Sequence, residues 1–257
     1  MRAFIFGTIY LQDPEKAELV QMWVELMQRV NPGFDLLVLD SFSDPFYRAT
    51  IPALQNVEVI TLPEGAPLPP LKPGLNWVDF PENMGSLEYN NIDGWGRAFC
   101  RGVQFAIDQG YDYAVNIEPD MLFGLPVAPI LEDMQHHRLG ALAPFAHQYG
   151  FMENTIMFLD VKYLKDIDYI GKYDWRARRK GRDKPENWCE EILGKELFFK
   201  NWHGKRDDCR DDDGVTFEQL LHMDYIMHAH DQELYYFFMM KYLGADWVPP
   251  SQRRTVA

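Results

Sequence analysis

Residues 113–120 read Tyr113-Ala114-Val115-Asn116-Ile117-Glu118-Pro119-Asp120. The first five fit a short buried strand, and the run ends on two carboxylates one residue apart. In an extended chain, residues i and i+2 point to the same side. Pro119 fixes its own φ and holds Glu118 extended. Glu118 and Asp120 are therefore expected to converge just past the strand end. Two close carboxylates repel, so one tends to keep its proton. A divalent cation removes that conflict, and a nucleoside diphosphate can supply its remaining oxygen ligands. The plain alternative is a strand-to-turn junction with Asp120 as a local cap.

Upstream, the chain opens with a β-α-β pattern. Residues 3–10 read as a buried strand. Asp13-Pro14 then offers an N-cap and a first-turn proline. Val20, Trp23, Val24, Met27 and Val30 follow at helical spacing, and Asn31-Pro32-Gly33 stops the helix. Residues 35–40 and 57–62 are further apolar runs. Strands that are apolar throughout, rather than alternating, predict a mostly parallel sheet covered by helices on both faces, an α/β fold. The proline-rich stretch 63–73 predicts a loop and 81–85 a turn. Asp93 is placed to cap a helix with Trp95, Ala98, Phe99, Val103, Ala106 and Ile107 on one stripe and Arg97, Arg101 and Gln104 on the other.

Downstream, 125–138 reads as a helix, 140–145 and 155–161 as strands, and 233–243 as a helix apolar nearly all round and so buried. Residues 171–214 are dense in charge, from Arg176 and Arg178 to Asp211-Asp212-Asp213. They fit either a solvated surface insertion or a lid whose basic residues meet phosphates.

At 257 residues, with 47% hydrophobic and 14% aromatic content, the chain is long enough for one large domain with an ample core. A net charge of −14 argues against nonspecific nucleic-acid binding and against attraction to an anionic membrane. Three cysteines, Cys100, Cys189 and Cys209, show no zinc-like spacing and fit reduced thiols. No apolar run is long enough to span a bilayer, and the first residues lack a full signal peptide. A cytoplasmic protein without an integral membrane segment is the expectation.

In an open α/β sheet, ligands bind beyond the carboxyl ends of the strands. Three such ends carry polar or aromatic groups: Thr8 and Tyr10, then Asp40, then Glu118 and Asp120. Tyr10 can stack on a base, and Asp40 can accept from a base N–H or a ribose hydroxyl. Taken by itself, Asp40-Ser41-Phe42-Ser43-Asp44 reads as a turn closed by Asx-type bonds.

The order of these pieces resembles the nucleotide-sugar glycosyltransferases of GT-A type, most of all their family-two group. Leu37-Val38-Leu39-Asp40-Ser41-Phe42-Ser43-Asp44 resembles that group's strand and Asp-rich turn. Pro81-Glu82-Asn83-Met84-Gly85 is similar to its N-x-G turn, and Glu118-Pro119-Asp120 stands where it carries a DxD metal motif. His230-Asp231-Gln232-Glu233-Leu234 resembles its ED-x-x-L segment near the acceptor. The resemblance covers residues 3 to 248. It departs at Glu118, where Asp is usual, at His230, where an acid is usual, and at 171–214, which has no counterpart.

The resemblance implies one GT-A-like domain over 1–257. Residues 1–124 form its nucleotide-sugar half, and 125–257 its acceptor half with the charged insertion 171–214. Thr8, Tyr10 and Asp40 would contact the nucleoside, with Asn83 and Arg97 near the nucleotide or diphosphate. Asp120 would ligate Mn2+ or Mg2+, with Glu118 reaching it directly or through water. His230 or His228 would add an imidazole ligand, which favours manganese. Asp231 would be the general base, which leans toward inversion. Glu153 and Asn154 would bind sugar hydroxyls. The implied activity is sugar transfer from a nucleotide-sugar donor, UDP-linked by expectation, to a hydroxyl acceptor such as a glycan. A sugar-phosphate nucleotidyltransferase stays open beside it, although Gly7-Thr8-Ile9-Tyr10-Leu11-Gln12-Asp13 lacks a glycine-rich phosphate loop. So does a non-catalytic sugar-nucleotide or carbohydrate-binding module. An NAD-type oxidoreductase is disfavoured by the absence of G-x-G-x-x-G in that turn.

Overall fold

A computed structural model of the chain describes residues 1–63, 65–85, 93–146, 150–175, 185–206, 217–227, 229 and 231–253. The apolar runs become the strands of one sheet. From Ala3–Ile9 (β1) the chain passes through helix Pro14–Val30 (α1), strand Leu36–Asp40 (β2) and the short helix Pro45–Ala49 (α2). Strands Val59–Thr61 (β3) and Leu75–Asp79 (β4) follow, then helix Gly94–Asp108 (α3) and strand Tyr113–Ile117 (β5). Next come Met121–Phe123 (β6), helix Val127–His137 (α4), and strands Ala141–Ala146 (β7), Phe151–Met152 (β8) and Ile156–Asp160 (β9). Three helices, Val161–Asp166 (α5), Tyr169–Lys172 (α6) and Pro185–Leu193 (α7), precede strands Leu197–Lys200 (β10) and Gly204–Arg206 (β11). Helix Phe217–Leu221 (α8), strand Tyr225–Met227 (β12) and helix Gln232–Leu243 (α9) complete the order.

The main sheet runs β10-β7-β9-β5-β1-β2-β4-β3, with β8 paired to β7. The neighbours from β5 to β3 are parallel, as are β10 and β7, while β9 lies antiparallel between β5 and β7. A smaller sheet, β11-β12-β6, packs beside it. Alternate residues of each central strand enter two separate cores. Ile5, Leu36, Val38, Tyr113 and Val115 face α1, α4, α9 and the small sheet. Phe4, Phe6, Leu37, Leu39 and Ala114 face α3, α5, α6 and α7. Each large side chain buried in these layers contributes about 1.5–3 kcal/mol.

α1 starts as the sequence implies: the Asp13 carboxylate accepts from the Lys16 N–H at 2.7 Å, and Pro14 opens the helix. Asn31 ends it and also accepts from the Val127 N–H at 2.7 Å, which ties the end of α1 to the start of α4. The described residues of 171–214 are part of the fold rather than an appended surface. α7 sends Cys189 and Leu193 into the second core, and β10 forms the parallel edge of the main sheet. α9 also differs from expectation. Its Leu234, Tyr235, Phe238 and Met239 are buried, while Phe237 lies on the open side. No helix among the described residues is long and apolar enough to cross a membrane. Cys100 and Cys189 are buried thiols, and the Tyr169 hydroxyl lies 3.3 Å from the Cys189 sulfur.

Candidate functional site

A cleft of about 790 Å³ opens where β1, β2 and β5 end. Thr8, Tyr10, Gln12, Lys16, Ser41, Asn83, Trp95, Glu118, Asp120 and Thr155 are among the residues that line it. Parallel pairing of β1 with β2 and β5 brings these strand ends level. Gly7 permits this closeness. A Cβ there would lie 2.5 Å from the Ile117 carbonyl and 2.6 Å from the Pro119 ring. On the opposite rim, the 83–85 turn rests on the first turn of α3, where Gly94 leaves no side chain in the way.

The carboxylates after β5 converge as their spacing implies, but in different settings. Glu118 is only 4% exposed. Its Oε2 accepts from the Thr8 amide at 3.0 Å and the Thr8 hydroxyl at 2.7 Å, and its Oε1 accepts from the Trp95 indole at 3.1 Å. Burial, reinforced by the charge of Asp120, pushes the Glu118 carboxyl up to about 8, while the bonds from Thr8 and Trp95 pull it down. Three donors around a carboxylate suit its charged form, and a nearby cation would favour that form further. Asp120 is partly exposed and opens on the cleft. Together they offer hard oxygen donors, which fits Mn2+ or Mg2+ sharing its remaining positions with phosphate oxygens and water. Among the described residues no group of three His, Cys, Asp or Glu side chains is placed to hold a metal. His228 and His230 lie outside the described residues.

Tyr10, 37% exposed, and Asn83 stand in the cleft as expected. Thr8 lines it too, with its polar groups directed to Glu118.

Other expected positions lie away from the cleft in the structure. Asp40 does not face the cleft. It is 0% exposed and accepts from the Ser43 amide at 2.9 Å, from the Ser43 hydroxyl, and from the Trp77 indole at 3.2 Å. It closes the turn after β2 in the Asx manner, and its neighbour Ser41 reaches the cleft instead. Burial, with a smaller contribution from nearby Asp79, pushes the Asp40 carboxyl up to about 6 against the Ser43 bonds.

Arg97 also turns away. At 3.6 residues per turn it lies about 200° around α3 from Trp95. It pairs with Glu82 at 3.1 Å and sits over the Trp175 ring, in a separate cavity of about 280 Å³. Glu153 and Asn154, 0% and 5% exposed, lie behind Thr155. There the Asn154 carbonyl accepts from the Asn116 amide at 3.0 Å. Asp231 is the N-cap of α9, accepting from the Glu233 N–H at 2.9 Å, and lines neither the main cleft nor the cavity beside it.

Five of the polar or aromatic cleft residues escaped sequence reasoning: Gln12, Lys16, Ser41, Trp95 and Thr155. Trp95 had been assigned to an apolar stripe. It does stack on Phe99, at 4.7 Å between ring centres, but its N–H is spent on Glu118. Lys16 is the one basic residue lining the cleft among the described residues, and its ammonium group pairs with none of their carboxylates. The signal that could have found it is its place just inside the Asp13 cap, at the helix end facing the strand ends.

No protein-family model matches the chain, and no curated protein matches it. Solved structures do. The bifunctional glycosyltransferase WbbM, in its apo form, superposes with a TM-score of 0.59 at 12% identity, over 96% of this chain and 50% of WbbM. The chain thus spans half of that protein's length. The galactosyltransferase LgtC, in complex with donor and acceptor sugar analogues, gives a TM-score of 0.53 at 11% identity, over 96% of this chain and 97% of LgtC. The glycosyltransferase GlyE of Streptococcus pneumoniae gives 0.50 at 9% identity, over 93% of this chain and 60% of GlyE. At such identities the likeness is one of fold. The chain has the fold of the GT-A-type glycosyltransferases.

Proposed function

We propose that this protein transfers a sugar from a nucleotide-sugar donor, UDP-linked in our reading, to a hydroxyl acceptor such as a glycan. The observation that carries the reading is the meeting of Glu118 and Asp120 on a cleft at the ends of β1, β2 and β5, in a chain of GT-A fold.

In this reading Tyr10 stacks on the base. Ser41 and Asn83 offer polar groups to the nucleoside or diphosphate, and Lys16 meets phosphate oxygens. Asp120 holds Mn2+ or Mg2+ directly, with Glu118 behind it, oriented by Thr8 and Trp95. Such a cation, when bound, neutralises charge on the leaving diphosphate. In the transfer step the acceptor oxygen bonds to the anomeric carbon. The bond from that carbon to the diphosphate oxygen breaks, and its electron pair leaves on the diphosphate. The hydroxyl proton passes to a carboxylate on the acceptor side. Asp231 caps α9 through Oδ1 and so fixes the start of the helix that carries Gln232 and Tyr235.

The test is a panel of nucleotide-sugar donors assayed for manganese-dependent hydrolysis and transfer, wild type against Asp120→Asn. The variant is expected to keep its fold, read by circular dichroism, and to lose about 100-fold or more of the activity. Undiminished activity would sink the metal assignment.

A further inference from the structure

The main cleft continues beyond Asp120 and Lys16. Both residues also line a second cavity, of about 220 Å³. Its walls come from two helices far apart in sequence. The start of α1 contributes Leu19 and Met22, and the start of α9 contributes Gln232 and Tyr235. Leu19, Met22 and Tyr235 are buried and give it an apolar floor. Among the described residues, Asp13, Glu15, Asp120 and Gln232 supply polar groups, so three carboxylates and one ammonium, that of Lys16, line it.

The two walls are fixed to each other. Glu18 of α1 accepts from the Gln232 amide at 2.6 Å and the Tyr236 hydroxyl at 3.2 Å. With its NH2 group held there, Gln232 has its carbonyl oxygen left to accept. The Tyr235 hydroxyl is held by the Ala229 N–H at 3.0 Å. Asp13 uses Oδ1 on the α1 cap.

This chemistry excludes a second phosphate-bearing ligand, since the carboxylates would repel it. It suits a neutral polyol: carboxylates and an amide oxygen accept from hydroxyls, while an apolar floor receives the C–H face of a ring. The volume lies below the ~300–1,000 Å³ of drug-sized pockets, which limits the ligand to about one ring. We propose that the second cavity is the acceptor subsite and takes a single neutral sugar ring, with the reacting hydroxyl presented past Asp120. The proposal rests on the glycosyl-transfer reading for the word acceptor; the sugar site itself stands on the lining.

The probes are the methyl glycosides of glucose, galactose and N-acetylglucosamine, titrated into protein labelled with 13C on its methionine methyl groups. The Met22 signal is assigned by its loss in Met22→Leu. It should move saturably with at least one glycoside, and Asp13→Asn, which keeps a capping oxygen, should weaken that response several-fold. In parallel, Leu19→Trp narrows the cavity and should lower the ratio of acceptor transfer to donor hydrolysis about tenfold or more. A Met22 signal unmoved by all three glycosides overturns the proposal, as does a wild-type ratio in a folded Leu19→Trp. Should Leu19→Trp fail to fold, the wild-type titration decides. A moving Met22 signal in a protein that turns over no donor keeps the sugar site and overturns the transfer reading. Donor turnover with a still Met22 signal does the reverse.

Discussion

The indole N–H of Trp95 donates to Oε1 of Glu118 at 3.1 Å, joining the first turn of α3 to the end of β5 across the floor of the cleft. Glu118 is thereby held by two elements, since Thr8 of β1 takes its other oxygen. Trp95→Phe keeps the stacking on Phe99 and removes one bond to a charged group. Such a bond is worth about 1.5–3 kcal/mol. Manganese-dependent UDP binding, followed by calorimetry, should weaken on the order of tenfold, with the fold retained. Equal affinity would show that Glu118 needs no support from α3.

Among the described residues Lys16 is the cation on a cleft that also presents Glu118 and Asp120. Lys16→Met should weaken UDP binding at low salt by about 1–2 kcal/mol. Lys16→Arg should keep most of it. The gap between Met and wild type should close as salt rises, because a partly exposed charge is screened. A salt-independent gap would assign the loss to packing instead.

Asp40 gives the protein a pH dependence separate from the cleft. Its carboxyl, ordinarily near 3.8, stands at about 6 in the fold because it is buried. The folded state therefore binds this proton more tightly than the unfolded chain does. The cost of ionising it is absent below about 3.8, grows as pH rises through about 6, and is complete above that. Asp40→Asn keeps an oxygen for the Ser43 turn and removes the titration. Urea unfolding of the two proteins should diverge between these limits, the wild type losing stability relative to the variant by on the order of 3 kcal/mol at most. Parallel curves would place the Asp40 carboxyl at its ordinary value.

Gly7 sets the spacing between β1 and the carboxylates. The groups a Cβ would strike, the Ile117 carbonyl and the Pro119 ring, are stiff. Gly7→Ala should cost about 1–3 kcal/mol in urea unfolding, the usual penalty for overpacking. It should also reduce UDP binding by displacing Glu118. Wild-type stability would mean that the strand end yields freely.

These positions show what a sequence carries by itself. The parallel sheet was legible because β1, β2 and β5 are apolar on both faces. The convergence of Glu118 and Asp120 was legible because alternation and Pro119 are local rules. Asp40 is instructive: the local reading, an Asx turn closed by Ser43, is what the structure holds. β4 was missed because Leu75–Asp79 carries Asn76 and Asp79 between turn-forming neighbours. β10 was missed because charge dominates its surroundings. Trp95 and Lys16 could not be placed, since which face of α1 or α3 meets the strand ends depends on packing between distant segments.

The clamp of Glu18 onto Gln232 and Tyr236 has a consequence for synthesis on the ribosome. Within this sequence α1 precedes every other helix, and β2, its earliest sheet partner, follows at once. The helix that closes the rest of its apolar face is α9, made some two hundred residues later. Until α9 is made, the nascent chain therefore leaves part of the apolar face of α1 uncovered, the kind of surface through which incomplete chains associate. The two cavities that meet at Asp120 are walled in order: the strand ends and α1 come early in the sequence, and Gln232 and Tyr235 of α9 come late.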